Sequence, residues 1–110
     1  MIPDFMKLIQ QFQKIQGEIK KAQEEISREK VTGSSGGGMV EVTLTGNFEV
    51  VDVRIEESLL KGKDIQMLSD LILAATNDGI KKVKELIKER VRNFTGGLNL
   101  SGEISQFFGL

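Results

Sequence analysis

The first thirty residues carry an apolar side chain at every third or fourth position, with mainly polar side chains between them. The residues that show this spacing between Asp4 and Lys30 are Phe5, Leu8, Phe12, Ile15, Ile19, Ala22 and Ile26. This spacing predicts an amphipathic helix about 40 Å long. The apolar strip is as narrow as a coiled-coil seam, so we expect residues 1–30 to form an arm that packs against another long helix.

A second helical pattern covers residues 64–94. The apolar positions that show helical spacing are Ile65, Leu68, Ile72, Ala75, Val83, Ile87, Val91 and Phe94. Asp64 is suited to cap the first turn of this helix. Gly79 lies inside the pattern, where a glycine costs up to about 1 kcal/mol relative to alanine. The sequence leaves open whether Gly79 marks a bend, a close helix contact or a break into two helices.

Between the two helical patterns, the period of the apolar residues changes to two. The alternating apolar positions are Val40, Val42, Leu44, Val51, Val53 and Ile55. Alternation predicts strands with one apolar face, and Gly46-Asn47 predicts a two-residue turn that joins them in a hairpin. We therefore predict a small antiparallel sheet within residues 31–56.

The two-residue turn also predicts the register of the hairpin. The expected pairs are Val40 with Val53, Glu41 with Asp52, and Val42 with Val51. The apolar pairs share one face, but Glu41 and Asp52 would place like charges opposite each other, which destabilises a strand pair. Arg54, or a third strand from around Val31, would relieve this repulsion.

The stretch VTGSSGGGMVEVTLTG, residues 31–46, is rich in glycine and serine. A phosphate-binding loop of this kind follows a strand, precedes a helix and ends in a lysine. Here a helix precedes and a strand follows, and there is no lysine between Val31 and Asn47. We therefore interpret the glycines as a sharp turn at positive φ that leads the arm helix into the edge of the sheet.

The last segment, residues 95–110, follows the second helix. Gly96-Gly97 is expected to end that helix. The apolar residues that follow include Leu98, Leu100, Phe107, Phe108 and Leu110. A free tail is rarely so apolar, so we expect this segment to dock against the rest of the molecule.

The composition removes most enzymatic mechanisms. The 110 residues include no cysteine and no histidine, which excludes a thiol nucleophile, an imidazole base and a Cys/His metal site. Ser58 and Ser69 have no imidazole partner. The acidic residues show no spacing that would converge on Mg²⁺. We expect a single soluble cytoplasmic domain with no membrane segment, no catalytic residue, no cofactor and no metal.

The net charge of −1 conceals a basic end of the chain. Residues 81–110 hold six basic and three acidic side chains, whereas residues 39–80 hold three basic and eight acidic ones. One face of the second helix collects Lys81, Lys84, Lys88 and Arg92. A face of one sign attracts a phosphate backbone, although a solvated lysine-rich helix end explains such a run about equally well. No aromatic residue is interleaved, which argues against stacking on single strands.

The first helix carries its own basic strip. Its members recur every seven residues at Lys7, Lys14, Lys21 and Arg28. Glu18 and Glu25 stand three or four residues from members of this strip, where ion pairs form along a helix. For this helix taken alone, a salt-bridged solvated face is the favoured interpretation.

Several blocks of the sequence occur in the order and spacing of one bacterial family. They are Met6-Lys7 with Gln10, Gln11 and Gln13, VTGSSGGGMVEVTLTG (31–46), SLL (58–60), DLILAATNDGIKK (70–82) and TGGLNL (95–100). On these blocks, which span nearly the whole chain, the protein resembles the YbaB/EbfC family of nucleoid-associated DNA-binding proteins.

The resemblance implies an α+β subunit in which long helices flank an antiparallel sheet, and a homodimer whose helical arms project like tweezers. It implies double-stranded DNA as the ligand, weak sequence preference, a role in nucleoid organisation or gene regulation, and no catalysis. Recombination-repair or replication proteins are implied as further partners. Because the family's binding is attributed to its arm helices, the expected DNA contacts are Lys81, Lys84, Lys88 and Arg92 first, and Lys7, Lys14, Lys21 and Arg28 second.

A second hypothesis is a protein–protein adaptor whose coiled-coil arms clamp a replication or repair factor. The slight overall acidity favours it, because dedicated DNA-binding proteins are usually basic.

Overall fold

The structure is a computed structural model that describes residues 2–94. In chain order its elements are α1 (Ile2–Arg28), β1 (Lys30–Ser35), a 3₁₀ turn (Gly36–Gly38), β2 (Val40–Thr45), β3 (Val50–Ile55), α2 (Glu57–Lys61) and α3 (Ile65–Phe94). The strands form one antiparallel sheet in the order β1-β2-β3. The α+β class and the third strand are therefore confirmed. The molecule is elongated, with extents of 74 × 23 × 18 Å.

Both long helices form where the apolar spacing predicts them. α1 ends at Arg28, close to the expected boundary, because strand pairing begins at Lys30. α3 begins directly after Asp64, whose Oδ1 accepts a hydrogen bond from the Met67 N–H at 3.0 Å, so the predicted cap is confirmed. α3 is continuous through Gly79 to Phe94.

The core lies between the sheet and α3. Its buried members are Ile26, Val40, Val42, Leu44, Leu59, Ala75, Val83, Ile87 and Val91. Two glycines bring α3 close to the sheet: a Cβ on Gly79 would overlap the Leu44 side chain, and one on Gly33 would overlap the backbone of Ala75 and Gly79. Gly79 therefore marks a close contact of the helix rather than a bend or a break.

The glycine-rich stretch has a different place from the one predicted. β1 already occupies Lys30–Ser35, and Glu29 alone separates it from α1. Gly36, Gly37 and Gly38, with φ of 59°, 66° and 93°, connect β1 to β2. The positive φ values are as expected, but the turn joins two strands and does not lead the arm helix into the sheet.

The predicted hairpin register is wrong by two residues. The observed pairs are Val40 with Ile55, Glu41 with Arg54, and Val42 with Val53. The chain reverses over residues 46–49 rather than over two residues, Phe48 adopts a φ of 60°, and the register shifts at Thr43/Leu44. Because the error is an even number, the apolar face is preserved. Glu41 now faces Arg54, so the repulsion expected with Asp52 does not arise at that position.

The remaining differences lie outside the main elements. The short helix α2 was not expected from the sequence; it buries Leu59 against the core. The expected helix end at Gly96-Gly97 and the expected docking tail, residues 95–110, lie outside the described residues.

Candidate nucleic-acid interface

The arm of the molecule is built from the middle and end of α1 and the last turns of α3. Ile26 lies with Ile87 beside the β2–β3 turn, and Ile19, Ala22, Val91 and Phe94 border one small apolar pocket further out. An ion pair joins Arg90 of α3 to Glu29, the residue between α1 and β1. The two helices therefore run antiparallel, and the last turns of α3 lie in the arm.

The strip Lys81, Lys84, Lys88 and Arg92 faces away from the core. The buried residues of α3 recur every four positions, at Ala75, Gly79, Val83, Ile87 and Val91. Helical geometry places the four cations off this buried line, with Lys81 opposite it and the others to one side, and all four are exposed. The predicted one-sided basic face is present on this helix.

The other two cations of this helix segment, Lys82 and Arg90, form hydrogen bonds and ion pairs with other residues of the same chain. Lys82 Nζ lies 3.2 Å from Asp78 Oδ2 and donates a hydrogen bond to the Thr32 carbonyl at 2.9 Å. Arg90 pairs with Glu29. In contrast, Lys81, Lys84 and Lys88 make no hydrogen bond or ion pair with any of residues 2–94. This division between structural and available cations does not follow from composition, although the spacing from Asp78 to Lys82 signals one of the pairs.

Asp78 holds Lys82 in place. Its carboxylate accepts the Ser34 N–H at 2.9 Å, and this hydrogen bond, followed by the Lys82 ammonium, holds the pKa of Asp78 below its ordinary value. The carboxylate is therefore ionised at neutral pH and keeps Lys82 against β1. Lys82 is a positioning group of the fold rather than part of the exposed strip.

The strip on α1 is also exposed along its whole length. Its members, Lys7, Lys14, Lys21 and Arg28, lie away from the apolar seam. The ion pairs expected from Glu18 and Glu25 are absent: among residues 2–94, no member of this strip is paired with a carboxylate. The two strips lie on separate helices and form two basic faces.

Charge is separated along the molecule. Residues 80–94, the second half of α3, carry six basic and two acidic side chains, a balance of +4. Residues 29–64, which hold the sheet and α2, carry four basic and seven acidic side chains, a balance of −3. A polyanion approaching the molecule is therefore attracted to the second half of α3 and repelled by the acidic side chains of residues 29–64.

Other kinds of site find no support in the part of the chain that the structure describes. Among residues 2–94, no three acidic side chains gather where they could hold a metal ion. None of the helices in that range is long and apolar enough to cross a bilayer.

The sequence is similar to a known family of DNA-binding proteins. Residues 1–98 match the model of the YbaB/EbfC DNA-binding family. The chain is 43% identical over 97 residues to nucleoid-associated protein DP1429 of Desulfotalea psychrophila, covering 88% of this chain and 92% of that protein. It is 49% identical over 82 residues to nucleoid-associated protein Bcer98_0019 of Bacillus cytotoxicus, covering 74% and 75% of the two chains.

A solved structure shares the fold. The crystal structure of the uncharacterized protein HP0035 from Helicobacter pylori superposes with a TM-score of 0.71 at 33% identity, covering 83% of this chain and 96% of that one. The family match and the identities together decide the assignment. The chain belongs to the YbaB/EbfC family of nucleoid-associated proteins, which bind DNA and are not enzymes.

Proposed function

We propose that the basic faces of the arm helices α3 and α1 bind the backbone of double-stranded DNA, with the α3 strip as the first contact and the α1 strip as the second. The charge balance of the two helices carries this ranking, since residues 80–94 hold a charge of +4. In one helix segment, Lys82 and Arg90 are held by partners in the fold, whereas Lys81, Lys84 and Lys88 are left for an external anion. The α1 strip ranks second because residues 2–28 carry a charge of only +1, five basic against four acidic side chains.

The chemistry of the strip favours weak sequence preference. Lysine ammonium groups contact phosphates as point charges, and such contacts fix position without reading bases. No aromatic side chain is interleaved among Lys81, Lys84 and Lys88 to stack on an exposed base. The arm therefore follows the shape and charge of the duplex, as expected of a protein that organises the nucleoid.

The salt dependence of binding tests this proposal. Each phosphate neutralised in B-DNA lowers the slope of log K against log salt by about 0.9. We expect duplexes of unrelated sequence to give similar affinities and a slope equivalent to several phosphates. Binding that does not respond to salt, or no binding even at low salt, would overturn it.

The protein acts as a homodimer in this proposal, and β3 is the edge that a second copy covers. α3 packs on β1 and β2. The valines of β3 stay about half exposed, at 50% for Val50, 48% for Val51 and 46% for Val53. Such an apolar edge is a template for strand pairing.

The opposite edge of the sheet is blocked. On β1, the Ser34 N–H and the Thr32 carbonyl are taken by Asp78 and Lys82 from α3. A two-fold axis at Val53 would set Asp52 of one copy opposite Arg54 of the other, so pairing through β3 is electrostatically self-complementary. Two copies joined there would carry two projecting arms.

A protein partner is the second candidate function. It is favoured by the apolar seam on the first half of α1, which residues 2–94 of the same chain leave uncovered. The partner proposed is a recombination-repair or replication protein. A stoichiometric partner that survives nuclease treatment, together with purified protein that has no affinity for DNA, would favour this function over DNA binding.

A further inference from the structure

The outer half of α1 has an apolar face with no partner among residues 2–94. Its members are Phe5, Leu8, Phe12 and Ile15, which are 64%, 63%, 61% and 49% exposed. We call these four residues the outer seam. The seam continues the line of Ile19, Ala22 and Ile26, which do pack against α3. Large side chains in a row at this exposure are a surface built to be covered.

α3 ends beside Ile19, which is the point on α1 where its contact with the apolar seam stops. Phe94, the last described residue, borders the same pocket as Ile19. Because α3 runs antiparallel to α1, its last turn points toward the N-terminal half of α1, where the outer seam lies. We infer that residues 95–110 of the same chain dock on the outer seam and complete the arm.

The length and composition of this segment suit the site. Ile15 and Phe5 are ten residues apart on α1, about 15 Å along the helix axis, and the sixteen residues 95–110 are long enough to span that length as a helix or as an extended segment. They include Leu98, Leu100, Ile104, Phe107, Phe108 and Leu110.

Tethering favours this segment over another molecule. A segment joined directly to Phe94 has an effective concentration in the millimolar range near the seam, so it competes strongly with a second copy or a protein partner. In this arrangement the seam is sealed while both basic faces stay outward.

The test places one fluorescent reporter in the seam of the full chain. The natural sequence has no tryptophan or tyrosine, so Phe12→Trp provides the sole tryptophan. Its emission and its quenching by acrylamide are compared with those of the same chain carrying Phe107→Ser and Phe108→Ser. A matched control carries Asn99→Ser and Gln106→Ser, which alter polar residues of the same segment.

The proposal predicts that the tryptophan of Phe12→Trp emits at short wavelength and is weakly quenched by acrylamide in both the reporter chain and the control. The Phe107/Phe108 change should shift the emission to longer wavelength and increase quenching. Equal exposure in all three chains overturns the proposal, and so does protection that persists in the Phe107/Phe108 variant. If co-refolding that variant with excess unlabelled natural chain restores the blue emission, the cover comes from another copy and the proposal fails.

A second reporter guards against misfolding of the altered segment. Phe108→Trp reads the same contact from the other side, with Leu8→Ser and Phe12→Ser removing the seam while α1 keeps its polar faces. The Phe108→Trp emission should be blue in the otherwise natural chain and red in the seam variant. Red emission in both overturns the proposal. DNA affinity is measured separately, so failure here is distinguishable from failure of the DNA-binding proposal.

Discussion

The Asp78 carboxylate of α3 accepts a hydrogen bond from the Ser34 backbone N–H of β1 at 2.9 Å, across 44 residues of sequence. The same carboxylate holds Lys82, which donates to the Thr32 carbonyl. One acidic side chain thus closes the β1 edge and holds Lys82, the neighbour of the exposed basic strip, against the sheet. The sheet keeps β3 as its open edge for this reason.

This contact predicts a loss of stability in acid. The pKa of Asp78 is lower in the folded protein than its ordinary value, so the ionised form stabilises the fold above the unfolded pKa of about 3.9. That contribution declines as the pH falls through the folded pKa. We expect natural protein to be more stable than Asp78→Asn at pH 7 and the difference to shrink below about pH 4. Urea unfolding between pH 7 and pH 2 measures it; a difference independent of pH would contradict the assignment.

Gly33 is predicted to be irreplaceable for steric reasons. A methyl group there would overlap the backbone of both Ala75 and Gly79, which cannot rotate away. We expect Gly33→Ala to lower the free energy of unfolding by about 3 kcal/mol or more. Gly17→Ala is the matched control, because nothing lies within 4 Å of a Cβ at that exposed helical position. That change should stabilise by about 0.5–1 kcal/mol. Equal effects in urea unfolding would refute the close-contact role of Gly33.

The parts of the fold governed by local periodicity could be predicted from the sequence. The spacing of apolar residues on α1 and α3 reflects which face is buried, and the Asp64 cap is a contact within one turn. The predicted hairpin register was wrong because the register depends on the conformation of the turn. In that turn Phe48 adopts a positive φ, which its residue type disfavours and the sequence does not signal. β1 was only suggested, because the need for Gly33 comes from α3 more than forty residues away.

The candidate interface shows the same division. Helical spacing placed the basic strips on solvent-facing sides of their helices. It did not distinguish Lys82 and Arg90 from Lys84 and Lys88, because the distinction depends on which cations meet β1 and Glu29 in the folded chain. Long-range ion pairs of this kind follow topology, which a single helix pattern does not contain.

The proposed dimer predicts that a charge on β3 separates the subunits. Val53 is paired with Val42 within the chain and about half exposed on its other side, so Val53→Lys would place two ammonium groups near the proposed two-fold axis. We expect light scattering to report a monomer for Val53→Lys and a dimer for the natural chain. Gln13→Lys, at an exposed position of α1, adds the same charge away from β3 and should remain dimeric. A dimer in both variants would exclude the β3 edge.

The two basic strips should differ in their effect on DNA binding. Lys84 and Lys88 have no partner within residues 2–94, so replacing both with alanine should weaken binding to all duplex sequences alike. The slope of log K against log salt should become shallower by about 0.9 for each phosphate that the variant no longer neutralises. Lys61→Ala, on α2 at the acidic end, is the single-charge control and should leave the slope unchanged. The paired change Lys14→Ala and Lys21→Ala on α1 should have a smaller effect, because α1 as a whole is nearly neutral. If the α1 pair abolishes binding while the α3 pair does not, the order of the two strips is reversed and the arm meets DNA through α1.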